Sequence, residues 1–442
     1  MRPTHLLMLS TALLFAVPLA APAVAQDKTP VTVLTIGYPD EDSTDAVTGT
    51  TSPGIGKLEA AFEAANPTID LQITNIPWGE GATGYAPKTE AMIQANESCL
   101  YEMPGAAAFA RRGDLVDLSK LIEAEGASFE NLWGPQITTM RIWGPDNPKG
   151  LYYIPNNTGE RVIHWDATLF EHYGVEPLSK NPTLDEIATK AKALTGTDPV
   201  TGKQTYGYWY QGKYAVWQFL SIAHSMGANW GSVGDDGKMT VTWDTPEYLK
   251  AMQWFVDMAK YAPAGALASD SMPEGFLSDD NVVGIIPEGE QGYFIQPLIA
   301  NPELQKRFRS SFNLRGADGV GGVATISPMA MASSCENKDA AWTALKWLAG
   351  SAESQRYYFE SNGRLPTSSK GAEAIPAIAS FPDGDVVLTQ PQFAEAPYPW
   401  AAAQPRWAMQ TALEAALAGT LSPADALKQA QAETDAWIAE QQ

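Results

Sequence analysis

Two glutamates, Glu288 and Glu290, stand two positions apart in the run PEGEQGYF. A pair of carboxylates flanking one bond is what glycoside hydrolysis requires. Two acidic residues on one turn also describe ordinary solvated loop charges, and that is the preferred reading. The histidines offer no metal set. His5 lies in the first segment, while His164, His172 and His224 share no ligand spacing and read as structural side chains. The chain has no G-x-S-x-G elbow and no P-loop, and GVGGVA (Gly319–Ala324) lacks the register of a nucleotide-binding turn. No metal and no cofactor are expected. Cys99 and Cys335, the only cysteines, can pair in an oxidising compartment or stand as two separate buried thiols, and their spacing does not separate the two.

Aromatic rings are plentiful, with 14 tryptophans and 16 tyrosines, many of them beside turn residues. They stand at Tyr38-Pro39, at Trp78-Gly79, in YGYWYQGKYAVWQF (Tyr206–Phe219), at Gly292-Tyr293 and in PYPWAAAQPRW (Pro397–Trp407). Sugars present apolar C–H faces and hydroxyl rims. A site for them needs flat rings to stack on and amides or carboxylates to hydrogen-bond. Any one ring is ordinary core; the loop rings as a set favour binding.

The elements that would hold such a site are legible. VTVLTIG (Val31–Gly37) is a β-branched strand, and in SPGIGKLEAAFEAANP Ser52 caps a helix with Pro53 at its first turn and Ile55, Leu58, Phe62 and Ala65 on one face. TIDLQITNI then alternates as a second strand, so the unit is βαβ and its sheet parallel. The long loop Tyr38–Thr51 lies beyond the carboxyl end of a strand, where open α/β sheets bind ligands. Downstream, Thr183 with Glu186, Thr245-Pro246 and Ser422-Pro423 each start a helix, and a short strand runs from Val282 to Ile286 until Pro287 ends it. The fold class is α/β.

The first residues, MRPTHLLMLSTALLFAVPLAAPAVAQ, read as a secretory leader over 1–25, with a basic start, an apolar centre and an A-x-A site and no cysteine near it for a lipid anchor. No later run reaches the roughly 18 apolar residues of a membrane span. A net charge of −22 makes nucleic acid and anionic membranes poor partners. The roughly 415 remaining residues exceed one core, so two lobes are expected.

Taken in order, several stretches resemble the extracellular solute-binding proteins of ABC importers, of the sugar-binding type that includes maltodextrin-binding proteins. They are FARRGDLVDLSKLI (Phe109–Ile122), GLYYIPNNTGERVIHWDATLFEHYGVEP (Gly150–Pro177), NVVGIIPEGEQGYF, GVGGVATISPMAMASSCENKDAAWTALKWLAG continuing to Lys370, and ALEAALAGTLSPADALKQAQAETDAWI. The resemblance implies two α/β lobes joined by several crossings, with a hinge and an interlobe cleft. Residues 26–140 and 312–335 would form lobe I, and 141–311 and 336–442 lobe II. VATISPMAM would be a strand near the junction, and NKDAAWTALKWLAG, capped by Asn337 and ended by Gly350, would restart lobe II.

The resemblance also implies a ligand set. Glu41 and Asp42 lie in the first strand-to-helix loop, and Glu102 falls near the end of CLYEM, where relatives usually read P-D-V. Asn156 and Asn157 mark the first crossing. Trp217 belongs to the aromatic run, and Tyr293 stands where relatives often carry a stacking tryptophan. Gly321 and Gly322 would offer backbone amides; Arg364, Trp400, Arg406 and Trp407 complete the set. The implied function is capture without conversion of a sugar or oligosaccharide by a periplasmic monomer that delivers it to permease subunits. A Cys99–Cys335 bond would lie within one lobe or beside the hinge. Two alternatives stay open: a polyol or an anionic derivative such as glycerol phosphate clamped by Arg141, Arg161, Arg364 or Arg406, and an exported carbohydrate-active hydrolase.

Overall fold

Fifteen short strands among the described residues, and the helices between them, are assembled in a computed structural model. It describes residues 28–44, 51–79, 84–102, 104–130, 132–133, 140–158, 161–265, 273, 275–290, 292–322, 326–390, 393 and 404–441. The expected leader and Trp400 lie outside these residues. The first part of the chain supplies β1 (Thr29–Ile36), β2 (Ser43–Thr44), β3 (Thr51–Ser52), β4 (Ile69–Ile76), β5 (Leu100–Glu102) and β6 (Ile154–Thr158). Then come β7 (Arg161–Asp166), β8 (Gly196–Thr197), β9 (Gln204–Tyr208), β10 (Gly231–Val233), β11 (Met239–Val241), β12 (Val283–Glu290) and β13 (Phe308–Ser311), and finally β14 (Ile326–Met331) and β15 (Leu365–Pro366).

Two sheets organise the molecule. The first runs β15-β6-β14-β5-β1-β4 and the second β13-β7-β12-β9-β8. β1 pairs in parallel with β4 and with β5, as the βαβ pattern requires, while β14 runs antiparallel between β5 and β6. The chain therefore passes from the first sheet to the second between β6 and β7 and returns between β13 and β14. It leaves again after β15, because the helices Gln404–Leu417 and Pro423–Gln441 pack on the second core through Leu413, Leu427 and Ala430. This is the two-lobe architecture.

The helix Lys338–Gly350 corrects the expected boundaries. It packs Trp342, Leu345 and Leu348 into the first core, and Leu151, Tyr152, Ile154, Tyr357 and Tyr358 join it there. Met140, residues 151–154 and residues 341–358 thus pack with the first core, while Phe359 packs with Val283 and Phe294. An apolar stripe of this kind fits any sheet face, so the periodicity is right and the assignment to a lobe is not. Asn337 does not cap the helix; its amide donates to the Pro30 carbonyl at 3.2 Å, tying the helix start to β1.

Local start signals fare better. Thr183, Thr245 and Ser422 accept from the amides of Glu186, Tyr248 and Asp425. Ser52 does not cap, because it pairs in the β2–β3 hairpin, and the helix Gly56–Ala65 begins after Asp42 has taken the Gly54 amide at 2.9 Å. β12 runs past Pro287 through a register shift between Ile286 and Gly289. A proline lacks the ladder donor, so the strand bulges there instead of stopping.

Cys99 and Cys335 are joined, with Cα atoms 4.6 Å apart. The bond lies inside the first lobe, between the residue before β5 and the loop after β14, where it leaves the lobes free to move.

Candidate functional site

Three strand ends of the first sheet bring polar side chains together. Tyr38 follows β1, Glu102 ends β5 and Asn157 lies near the end of β6, which runs in the same direction as β5 because β14 is antiparallel to both. The Tyr38 hydroxyl donates to Glu102 Oε1 at 3.0 Å, while the Asn157 amide donates to the Tyr38 hydroxyl at 2.9 Å and to Glu102 Oε1 at 3.3 Å. Glu102 is 1% exposed, and burial pushes its carboxyl above the usual glutamate range against the opposing bonds from Tyr38 and Asn157 and the nearby Arg364 charge. Burial likewise raises the Tyr38 hydroxyl, with the Glu102 charge adding to it.

Tyr357 and Tyr358 close this floor, their rings 5.9 and 5.5 Å from that of Tyr38. Asn157 Oδ1 is buried without a hydrogen-bond partner, an acceptor that a donor entering the cleft would satisfy. Asn156 lies beside the Tyr358 hydroxyl, and its carbonyl accepts from Gln355 at 2.6 Å, so it holds the floor together from behind.

Trp78, after β4, forms one wall. It is 41% exposed and its indole lies against Gly37, where a Cβ would fall 1.9 Å from the indole nitrogen. Gly37 also has φ +79°, so the position needs glycine on both counts. Tyr85 meets Trp78 edge-on at 5.1 Å, and the Arg364 guanidinium lies 5.9 Å from the Trp78 ring.

The second lobe supplies the opposite wall. The Arg406 guanidinium lies 4.4 Å from the Trp407 ring, 5.0 Å from Trp217 and 5.9 Å from Tyr214. Trp407 is exposed and free to stack, whereas Trp217 is buried in the second core on the apolar face of the helix Ala215–Ser225. Its role is thus mainly packing, with one face on Arg406. Burial raises the Tyr85 hydroxyl, the Arg406 charge lowers it, and Tyr214 raises it further. A first-lobe side chain is therefore within electrostatic range of two second-lobe ones. Rings, a carboxylate, amides and guanidiniums around one cleft hold polyhydroxylated molecules well; among the described residues no cluster of metal-ligating side chains occurs.

Other expected residues stand elsewhere. Glu41 and Asp42 are exposed, and Asp42 is held by Lys57 at 2.6 Å and by the Gly54 amide. Gly321 offers no free amide, since its N–H donates to the Phe393 carbonyl at 2.8 Å and a Cβ would clash with the Leu314 carbonyl. Gly322 has φ +83°, with Asn313 packed against it. Gly321 is thus met by backbone and Gly322 by the Asn313 and Gln390 side chains. Tyr293 lies in the helix Gly292–Ala300, and neither its side chain nor those of Glu288 and Glu290 are among those described. Arg141 is an exposed side chain on the Lys149 carbonyl, and His172 and His224 pair with Asp198 and Asp318. Sequence reading counted Tyr38, Trp78 and the run holding Tyr214 among the loop rings but left them out of the ligand set, and it missed Tyr85 altogether. Tyr38, Trp78 and Tyr85 each sit beside a glycine, the signal that was available, while Tyr214 lies two residues after Gly212.

A family model described as bacterial extracellular solute-binding protein matches residues 48–355. Similar solved structures include an ABC substrate-binding protein from Listeria monocytogenes in complex with cycloalternan, 18% identical, covering 93% of this chain and 100% of that one, with TM-score 0.68. A cyclic alpha-maltosyl-1,6-maltose binding protein from Arthrobacter globiformis is 18% identical, covers 93% and 100%, and has TM-score 0.67. An ABC transporter solute-binding protein from Agrobacterium vitis with bound D-mannitol is 18% identical, covers 93% and 99%, and has TM-score 0.67. These likenesses establish the fold.

Proposed function

The chain belongs to the bacterial extracellular solute-binding protein family, and we propose that it captures a sugar, oligosaccharide or sugar-like polyol in its interlobe cleft and delivers it to the membrane subunits of an ABC importer. The observation that carries this reading is the buried Tyr38–Glu102–Asn157 floor on one lobe together with the exposed Trp407 ring and the Arg406 guanidinium on the other. Only a closed arrangement makes both sets of contacts, so a ligand that touches both walls shifts the population toward closure. The rings of Trp78, Tyr85, Tyr214 and Trp407 would stack on sugar faces, and Glu102, Asn157 and Arg364 would bind hydroxyls. The relatives that hold cycloalternan and D-mannitol support that ligand class.

The product of the protein is a bound state; no bond is broken. It would work as a monomer in the periplasm after removal of residues 1–25, without a lipid anchor. No helix among the described residues is long and apolar enough to cross a membrane.

A thermal-shift screen over mono-, di- and oligosaccharides, polyols and sugar acids tests the reading. We expect stabilisation by a subset that chromatography then recovers intact. Release of shorter products would make the protein a hydrolase, and a shift confined to sugar acids or phosphates would move the ligand class to anions.

A further inference from the structure

A line of buried amides threads the crossings between the lobes. Gln211, Gln218, Asn313 and Gln390 are each at most 2% exposed, and Arg161 is 3% exposed. The Gln218 side-chain amide donates to the Pro287 carbonyl at 2.8 Å, and the Gln211 amide donates to the same oxygen at 3.2 Å. Gln211 Oε1 accepts from Arg161 Nη1 at 2.7 Å, and its backbone N–H donates to Gln218 Oε1 at 3.0 Å. Arg161 follows the first crossing directly. Its carbonyl accepts from the Asn313 amide at 3.4 Å, in the segment that returns to the first sheet. Asn313 N–H donates to Gln390 Oε1 at 3.0 Å, and Gln390 Nε2 donates to the Gly321 carbonyl at 2.7 Å. Gln390 lies beyond the third passage.

At the other end of this line is the ligand wall. The Gln211 carbonyl accepts from the Tyr214 N–H at 2.8 Å, and Arg161 lies 5.8 Å from the Tyr214 ring. We propose that Gln211 is a positioning residue that registers the Tyr214 wall to the interlobe crossings, so that the wall moves as one piece with the hinge when a ligand closes the cleft. This rests on the sugar-capture reading and adds to it a residue with no ligand contact of its own.

The chemistry requires glutamine. The side chain must accept from a guanidinium and donate to a carbonyl at once. Leucine, of similar bulk, strips one partner from Arg161 and one from Pro287, and buried polar groups that lose partners are costly. Glutamate keeps the Arg161 bond and loses the one to Pro287, so it recovers part of the function.

Amide hydrogen exchange on the whole ligand-free chain tests the line directly. Gln211→Leu is expected to speed exchange at Tyr214 and at Asn313–Leu314 while the helix Pro246–Asp257 stays as protected as in the parent, and Gln211→Glu to restore protection at Asn313. Faster exchange everywhere, the helix included, or nowhere, overturns the inference. The second arm uses titration calorimetry with maltotriose and D-mannitol. Affinity should fall about tenfold in Gln211→Leu, the size expected when a site is misplaced without losing its contacts, with partial recovery in Gln211→Glu. Tyr214→Ala separates the two ideas. If it leaves the dissociation constant unchanged, the wall assignment fails; if it weakens binding and Gln211→Leu does not, only the positioning role fails. Should neither sugar bind the parent, the exchange arm alone decides.

Discussion

Tyr38 donates its hydroxyl hydrogen to Glu102 at 3.0 Å, across the ends of two parallel strands that are far apart in the chain. That bond places a carboxylate at the floor of the cleft and keeps it buried. The account of the site begins there, because a buried acceptor surrounded by tyrosines is costly unless something with donors arrives to use it.

Glu102 gives a pH signature. Its carboxyl is raised in the folded protein, so the folded state holds that proton more tightly than the unfolded one. Stability from this group is therefore present below the ordinary glutamate value and lost as pH rises from there through the folded value. Glu102→Gln abolishes the titration. The melting temperature of the variant relative to the parent should be higher at neutral pH than at about pH 4, near the free glutamate value. A difference that does not change with pH would contradict the assignment.

Trp407 is 38% exposed and stacks one face on Arg406. Trp407→Ala should weaken ligand binding by about tenfold, as loss of an aromatic anchor does, and shift the melting temperature little. Calorimetry and thermal scanning on the same sample check both.

Gly37→Ala puts a methyl into the Trp78 indole and forces a side chain to φ +79°. The conformational penalty is about 1–2 kcal/mol, and Trp78 must leave its place. Affinity and stability should both fall, and restoring space with Trp78→Ala should recover the part of the stability lost to the clash, leaving the φ penalty, but not binding.

The Cys99–Cys335 bond closes a loop of sequence separation 236. Replacing both cysteines by serine should lower the unfolding free energy by about 2–5 kcal/mol, read by urea unfolding with and without reductant. Since the bond lies within the first lobe, the dissociation constant measured well below the melting point should hold.

The sequence showed the βαβ opening and the caps at Thr183, Thr245 and Ser422, because each rests on local chemistry or on short-range periodicity, whereas the two-lobe class came from chain length and the family resemblance. It did not show that Lys338–Gly350 returns to the first core: Trp342, Leu345 and Leu348 make a stripe that suits either sheet. Within the aromatic run, Trp217 drew attention by its type, yet it sits on the buried face of a helix. Tyr214, just after the Gly212 turn, is the one left partly open to the cleft. Gly321 and Gly322 were legible as a tight approach, but whether the neighbour is ligand or protein depends on Asn313, Gln390 and Phe393, which arrive from distant parts of the chain. The cluster of Tyr38, Glu102 and Asn157 follows the rule that ligands sit beyond strand ends, which a sequence alone applies only once the strand order is known.

Small-angle scattering during a titration with maltotriose and then with D-mannitol tests the central claim most directly. The account predicts that a sugar which stabilises the protein also lowers its radius of gyration, saturating at one molecule per chain, with the sugar recovered unchanged. A stabilising sugar that leaves the scattering profile unaltered, or that is recovered cleaved, would contradict it.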